Sequence, residues 1–415
     1  MSGRAEHSHM KVLVVCQHYW PENFRVTEIC ETLVERGHQV TAVVGLPNYP
    51  SGTVPTEYKH FGNRRQEHNG VLIRRCMEIG RRPTKLGLAV NYVSYMLSAC
   101  WKVLWLRRDY DVVYAYSTSP VLMSLPAAFL RCFSHKPLMI YVLDIWPACL
   151  AAMNVGENTA FYAFMKRVSH WVYGKADRLI YSSKRFQQYL LDVHGIAVSD
   201  AQYMPQFADA LFDRALAAHI PSKRLQLVFA GNIGKVQAVE VLLEAAALLL
   251  DEPIHWHIVG DGSNEPACKK LAAQLHLGDA VTFHGYRPLE EMPDFYAMAD
   301  GMLVSMRNDL SVNDTLPGKV QSYMAAGKPV LGSIAGETPY VIDQAKCGLC
   351  VPPENPQALA DAVRRFLALS PAERECMGQR GKAYYAAHFT KKDHMDRLEA
   401  MLLELAKEGG QHARI

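Results

Sequence analysis

The chain has no stretch of about 20 uninterrupted apolar residues, the length a membrane-crossing helix needs. Its nearest candidate, Leu86 to Leu106, is broken by Asn91 and Lys102. A secretory leader is not visible either: the first apolar run, Val12 to Val15, is too short and reads as a strand. Met1 to Met10 reads as a leader outside the fold. Ten cysteines are present, but only Cys347-Gly-Leu-Cys350 is a close pair. Zinc would need a second pair of ligands, so packed thiols at a strand start are expected there. Many of the cysteines sit among Val, Leu and Ala like small core hydrophobes, which suits a reducing, cytosolic protein.

Net charge is small, +3 over 415 residues, but it is unevenly spread. Residues 1–200 hold 23 basic and 15 acidic side chains, and residues 59–108 hold 11 basic and two acidic. The basic patch is either a solvated face or the footprint of a polyanionic partner, such as an anionic membrane surface or a phosphorylated lipid. No recognised module surrounds it, so nucleic acid is not expected. The 86–106 segment, flanked by Arg81, Arg82, Lys85, Arg107 and Arg108, reads equally as an interfacial helix or as one buried between layers. Asp109-Tyr-Asp111 spells a metal-binding DxD but precedes a strand at its amino end, so turn residues are expected and no metal.

What is present is a double series of strand and helix signals. Lys11–Cys16, a helix over Thr27–Arg36 stopped by Gly37, and His38–Val44 form a βαβ unit, hence a parallel sheet with a right-handed crossover. Further strands are expected at 71–75, 111–116, 138–143 and 177–182. A second series follows Pro205, with strands at 225–230, 255–259, 281–283 and 301–304 and helices at 238–250, 265–275 and 289–298. The fold class is α/β: two Rossmann-like, doubly wound parallel-sheet domains facing a central cleft at their strand carboxyl ends.

Thr315 to Gly332, TLPGKVQSYMAAGKPVLG, fences a short helix. Pro317 fits a first helical position, Gly327 a left-handed stop, and Pro329 bars continuation. A helix amino end offers free N–H groups and partial positive charge; Gly318 permits close approach and Lys319 adds a full charge. Such an end can hold phosphate, or it can be an ordinary α/β helix.

Six stretches occur in order: GHQVTAVVGLPNYP (37–50), DIWP (144–147), FAGNIGKVQAVEVLLEAA (229–246), IVGDG (258–262), VTFHGY (281–286) and MAAGKPVLG (324–332). Together they resemble the retaining GT-B glycosyltransferases of family four, on a branch similar to bacterial L-fucosamine transferases of O-antigen and capsule assembly. The resemblance implies an acceptor-binding domain over 11–205, a nucleotide-sugar-binding domain over 206–388, and a helix over 389–408 that crosses back. It implies a nucleotide-sugar donor, expected to be UDP-linked, and no cofactor; the basic first domain and the 81–108 segment point to a lipid-linked saccharide acceptor. The protein is expected in the cytoplasm, peripheral at the inner membrane.

Residue roles follow from the same resemblance. Asp314 stands where the family's first glutamate contacts donor-sugar hydroxyls. Ser322 stands where its second glutamate binds ribose, a weaker neutral substitute. Leu316 and Gly318 carry the backbone N–H role, since Pro317 cannot donate. Asn232 and Gln237 occupy positions that usually hold Arg and Lys on the diphosphate, with Gly231 and Gly234 framing the turn. Lys235 and Lys319 are therefore expected to stabilise the leaving group. Gly285, Tyr286 and Arg287 follow the strand that ends beside the base. In the first domain, Glu22 and Asn23 replace a glycine pair near the acceptor, Arg25 either holds an acceptor phosphate or caps a carboxylate, and Asp144 is expected at the reacting sugar or as a turn aspartate. The implied reaction proceeds on one face, the leaving phosphate taking the acceptor proton, with domain closure excluding water. A nucleotide-sugar epimerase and a non-catalytic nucleotide-binding protein are the alternatives that the same residues admit.

Overall fold

The computed structural model describes residues 9–412 except 50, 83, 107–109, 154, 213–221 and 309–312. Residues 1–8 of the leader, and the expectations placed on Arg107, Arg108 and Asp109, lie outside the described residues. By its internal contacts the chain divides into two units. Unit 1 comprises residues up to 182, 187–204 and those from 395 on; unit 2 comprises 183–186 and 205–394.

Unit 1 holds β1 (Lys11–Val15), β2 (Gln39–Val44), β3 (Arg65–His68), β4 (Val71–Arg75), β5 (Val112–Ser117), β6 (Leu138–Val142) and β7 (Arg178–Tyr181) in the order β3-β4-β2-β1-β5-β6-β7. All pairings are parallel except β3 with β4. Without β3, the six parallel strands have the Rossmann order 3-2-1-4-5-6, with the switch point between β1 and β5. β5 and β6 are buried along their whole length, as near-continuous apolar strands covered on both faces must be. β3 was not expected. It is an entirely polar edge strand, turned back onto β4 by Asn69-Gly70, both at positive φ. The helices are α1 (Arg25–Glu35), α2 (Lys85–Trp105), α3 (Leu125–Arg131), α4 (Ala160–Tyr173) and α5 (Arg185–His194), the first two residues of α5 belonging to unit 2.

Unit 2 holds β8 (Leu225–Ala230), β9 (Ile254–Val259), β10 (Val281–Gly285), β11 (Gly301–Ser305), β12 (Val330–Ser333) and β13 (Gly348–Val351). Its order β10-β9-β8-β11-β12-β13 is again 3-2-1-4-5-6, all parallel. Its helices are α6 (Val239–Ala247), α7 (Glu265–Gln274), α8 (Met292–Met298), α9 (Gly318–Ala325), α10 (Glu337–Ala345), α11 (Pro356–Leu367) and α12 (Pro371–His388). Alternate residues of each strand feed two cores. Val228, Met302 and Val304 pack with α9 through Val320, Tyr323 and Met324. Leu227, Phe229 and Leu303 pack on the other face with Trp256 and Phe366.

The last helix, α13 (Lys391–His412), belongs from residue 395 on to unit 1. Arg36 holds Asp396 at 2.8 Å and Glu399 at 2.5 Å, and Arg178 holds Glu404 at 2.6 Å. Several helix starts differ from the sequence expectation, α8 among them, at Met292 and not at Leu289. α1 begins at Arg25, two residues before Thr27. α9 begins at Gly318, with Pro317 extended (φ −64°, ψ 131°) as the capping residue and not the first helical one. All ten cysteines are free, Cys347 and Cys350 included.

Candidate active site

At the switch point of unit 2, β8 runs out at Ala230 and β11 at Ser305, and α9 starts at Gly318. Tyr323 fixes α9 there. Its hydroxyl accepts from the Ala230 amide at 3.2 Å and lies 3.2 Å and 3.3 Å from the carbonyls of Ala230 and Leu303. One turn earlier, Lys319 sends its ammonium inward, 3.8 Å from the centroid of the Phe229 ring. Gly231, at φ +139°, makes room: a Cβ there would stand 2.9 Å from Lys319 Nζ. The ammonium is sealed from solvent and has no hydrogen-bond partner among the described residues. Burial holds its pKa down to about 7. The ring face offsets part of the desolvation cost, but an ammonium in this position calls for an anion.

The neighbouring turn is self-bonded. Gln237 Oε1 accepts from the Gly234 amide at 3.1 Å and from Asn232 Nδ2 at 3.3 Å. Lys235 is exposed, and its carbonyl accepts from Arg307 Nε at 2.8 Å. Arg307, which sequence reasoning missed, is itself paired with Glu240 and Glu354 and so braces this turn. At the start of α9, Gly318 is exposed and Leu316 is buried in the core. The Ser322 hydroxyl donates back to the Gly318 carbonyl at 3.3 Å, within the helix. Asp314 lies 3.6 Å from Arg185; burial pushes its carboxyl up while Arg185 pulls it down. Next to β8, the Gly260 amide bonds the Gly285 carbonyl at 2.8 Å. Gly285 is at φ +66° with open space around it, Tyr286 is exposed, and Arg287 donates to the His284 carbonyl at 3.3 Å beside Glu291.

The strand ends of unit 1 are built differently. Glu22 Oε1 accepts from the amides of Asn48 at 2.7 Å and Tyr49 at 2.6 Å, and Oε2 lies 2.9 Å from His18 Nδ1. Glu22 therefore ties the loops after β1 and β2 together. Asn23 beside it is exposed, and Arg25 lies 3.4 Å from Glu28. Asp144 Oδ2 accepts from the Ser119 amide at 2.9 Å, joining the loops after β5 and β6; burial pushes its carboxyl up against that bond. Sequence reasoning missed the largest cluster. Glu78 accepts from Gln17 at 2.6 Å, Asn48 at 2.9 Å, Asn91 at 2.6 Å and the Leu46 amide at 2.9 Å. The one available signal was Asn91, a polar interruption in an apolar helix. Asp111 lies at the other end of the sheet, accepting from the Lys11 amide at 2.8 Å.

Two Rossmann-order sheets in one chain make this a two-domain α/β protein. Residues 216–384 match the family model "Glycosyl transferases group 1" and residues 23–206 the "Glycosyl transferase 4-like domain". The chain belongs to this glycosyltransferase family. WcaI of Escherichia coli K12, assigned by its name to colanic acid biosynthesis, is 25% identical over 391 residues, covering 87% of this chain and 93% of WcaI. Among solved structures, sucrose-phosphate synthase of Thermosynechococcus elongatus superposes with a TM-score of 0.75 at 18% identity, covering 96% of this chain and 99% of that one. HepE of Anabaena, in complex with UDP and glucose, gives 0.68 at 16% identity, covering 95% and 99%.

Proposed function

We propose that this chain is a retaining, metal-independent glycosyltransferase of bacterial surface-polysaccharide synthesis. It moves a sugar, N-acetylated or deoxy, from a UDP-linked donor to a lipid-linked saccharide, working at the cytoplasmic face of the inner membrane. One observation carries the reading: the buried, unpartnered Lys319 ammonium beside Gly231, at the amino end of α9. The name of WcaI and the UDP held by HepE support the pathway and the donor class.

The chemistry asks the protein for charge stabilisation. The bond from the anomeric carbon to the diphosphate breaks, the acceptor oxygen bonds that carbon, and the acceptor proton passes to the departing phosphate oxygen. Lys319, Lys235 and the first amides of α9 stabilise the diphosphate as it leaves. Asp314 orients the donor sugar, and the backbone at Gly285 faces the base. Asp144, Glu22, Asn23 and Arg25 form the acceptor side.

A thermal-shift panel with UDP, GDP, ADP and dTDP tests the donor half. A nucleotide at about 100 times its Kd adds roughly 2.7 kcal/mol, enough for several degrees. The expected result is a UDP-selective shift, and anomeric NMR of the product then reads retention. The Ser322 hydroxyl, turned onto its own helix, favours one second reading, a nucleotide-binding protein without transfer. A UDP shift with no transfer from any UDP-sugar to any acceptor saccharide would select it.

A further inference from the structure

Helix α2 carries apolar side chains on its exposed face as well as on its buried one. The face it buries carries Asn91, Tyr95, Ala99 and Val103. Asn91 reaches Glu78 at 2.6 Å and the Ile79 carbonyl at 2.7 Å. Alongside, Ser94 Oγ accepts from the Ile79 amide at 3.0 Å and Ser98 donates to the Met77 carbonyl at 2.5 Å. The face it shows to solvent carries Leu86, Val90, Val93, Leu97, Trp101 and Trp105, three or four residues apart and so on one stripe. Leu86, Leu97, Trp101 and Trp105 are each more than 60% exposed. Met77 and Ile79, on the segment running beside the helix, are about half exposed and widen the stripe. Single exposed hydrophobes are ordinary; a stripe along 21 helical residues marks an interaction surface.

The charges select the partner. Residues 79–108 contain no Asp or Glu. Arg82 and Lys85 are exposed at the amino end and Lys102 lies near the carboxyl end, so cations bracket the apolar stripe. A second copy docked stripe to stripe would meet the same cations with no acid from this segment to pair them. An anionic bilayer answers both features: head groups for the cations, and the acyl boundary for Leu, Val and Trp. Trp101 and Trp105 stand edge to face at 5.9 Å, two amphipathic rings at one end of the stripe. No helix among the described residues is long and apolar enough to cross a membrane. We infer that the outward face of α2 is a monotopic docking surface, lying in the plane of an anionic bilayer along about 30 Å of helix.

The docking surface leads to the strand-end loops of unit 1. The Arg81 guanidinium sits 5.5 Å over the Tyr49 ring and 5.9 Å over the Tyr92 ring of α2. The Tyr49 amide in turn bonds Glu22. A bilayer under α2 therefore places its head groups beside the loop that holds Glu22. The inference deepens the lipid-linked acceptor proposed above, but vesicle binding reads it without donor or acceptor.

The test is flotation of the full chain with phosphatidylcholine vesicles, pure or with about one third phosphatidylglycerol. The expected result is binding to the anionic vesicles only. Trp101→Ser with Trp105→Ser should weaken it at least tenfold while leaving the melting temperature unchanged or raised. Arg82→Ser, Lys85→Ser and Lys102→Ser together should remove the preference for anionic lipid, each charge contributing about fivefold. Absence of binding by the unmodified chain, or undiminished binding by the Trp pair variant, would overturn the inference. So would a solution dimer that the Trp pair variant dissociates, which would assign the stripe to a second copy. The UDP shift measured on the same samples keeps the two readings apart: its survival alongside failed flotation removes docking alone.

Discussion

At the strand ends of unit 1, Glu78 receives four hydrogen bonds and Glu22 three; at the strand ends of unit 2, the Lys319 ammonium donates none to the described residues. Both ends belong to sheets of the same strand order, so the contrast comes from the loops. Unit 1 uses buried carboxylates as struts. Each gathers amides from several loops, and the geometry is complete before any ligand arrives. Unit 2 uses a buried cation as a reserve. Its ammonium is desolvated at the expense of stability and keeps its valence for a charge from outside. A satisfied buried charge is architecture, and an unsatisfied one is an invitation to a ligand.

Breaking the strut should have the largest effect. Glu78→Ala takes one acceptor from each of the Gln17, Asn48 and Asn91 amide groups, which keep Asn91 Oδ1, the Leu46 carbonyl and the Ile79 carbonyl, and leaves the Leu46 amide facing an empty space. Four buried hydrogen bonds lost at about 1–3 kcal/mol each put the loss at about 3 kcal/mol or more. Calorimetry should show the first transition moving down by roughly 6–12 °C. A change of only a degree would mean that water replaces the carboxylate and that the cluster is no strut.

Removing the reserve should do the opposite. Lys319→Met keeps the stem and deletes the charge, so the free protein should gain about 1–3 kcal/mol while the UDP shift disappears. The pH profile sharpens this. The folded pKa is near 7 and the ordinary value 10.5. Between them the unfolded chain holds the proton and the folded chain does not, so stability rises with pH across that window, and Lys319→Met should abolish the rise. UDP affinity should run the other way, strongest below pH 7 and falling toward tenfold per unit above it. A pH-independent affinity, or a destabilised Met variant, would show that the ammonium is not held in reserve.

The fold was legible because both strand series announce themselves as short apolar runs closed by Gly or Pro. Leu225–Ala230, closed by Gly231, is such a run; Lys11–Cys16 is closed by the polar loop that leads to Pro21, and the order of the runs along the chain already implied two parallel sheets. β3 was hidden because Arg65–His68 has no apolar residue; only Asn69-Gly70 betrayed the hairpin. Lys319 was named from sequence as a phosphate ligand and Gly231 as a glycine framing the donor turn. Their mutual contact depends on φ at Gly231 and on the placement of α9, which no local pattern encodes. Glu78 was invisible because burial of a carboxylate is a tertiary event, its four donors lying 13 to 61 residues away along the chain. α2 was left undecided between interfacial and buried; Asn91 and Tyr95 lie on its buried face, while Leu97, Trp101 and Trp105 are exposed.

The smallest expected effect bears on the turn between these extremes. Asn232 and Gln237 stand where the resemblance expects cations, yet here they bond each other and the Gly234 amide. If they only shape the turn, Gln237→Ala should cost about 0.5–1.5 kcal/mol, the worth of a lost amide acceptor, and weaken UDP a few-fold through a looser Gly234. Asn232→Ala should cost less, since its bond is 3.3 Å long at an exposed position. Isothermal titration of both variants decides the matter. A tenfold loss of UDP affinity in Asn232→Ala, with the melting temperature unmoved, would mean that this side chain reaches the diphosphate. The turn would then be a second reserve like Lys319, and the division between strut and reserve would run through unit 2 itself.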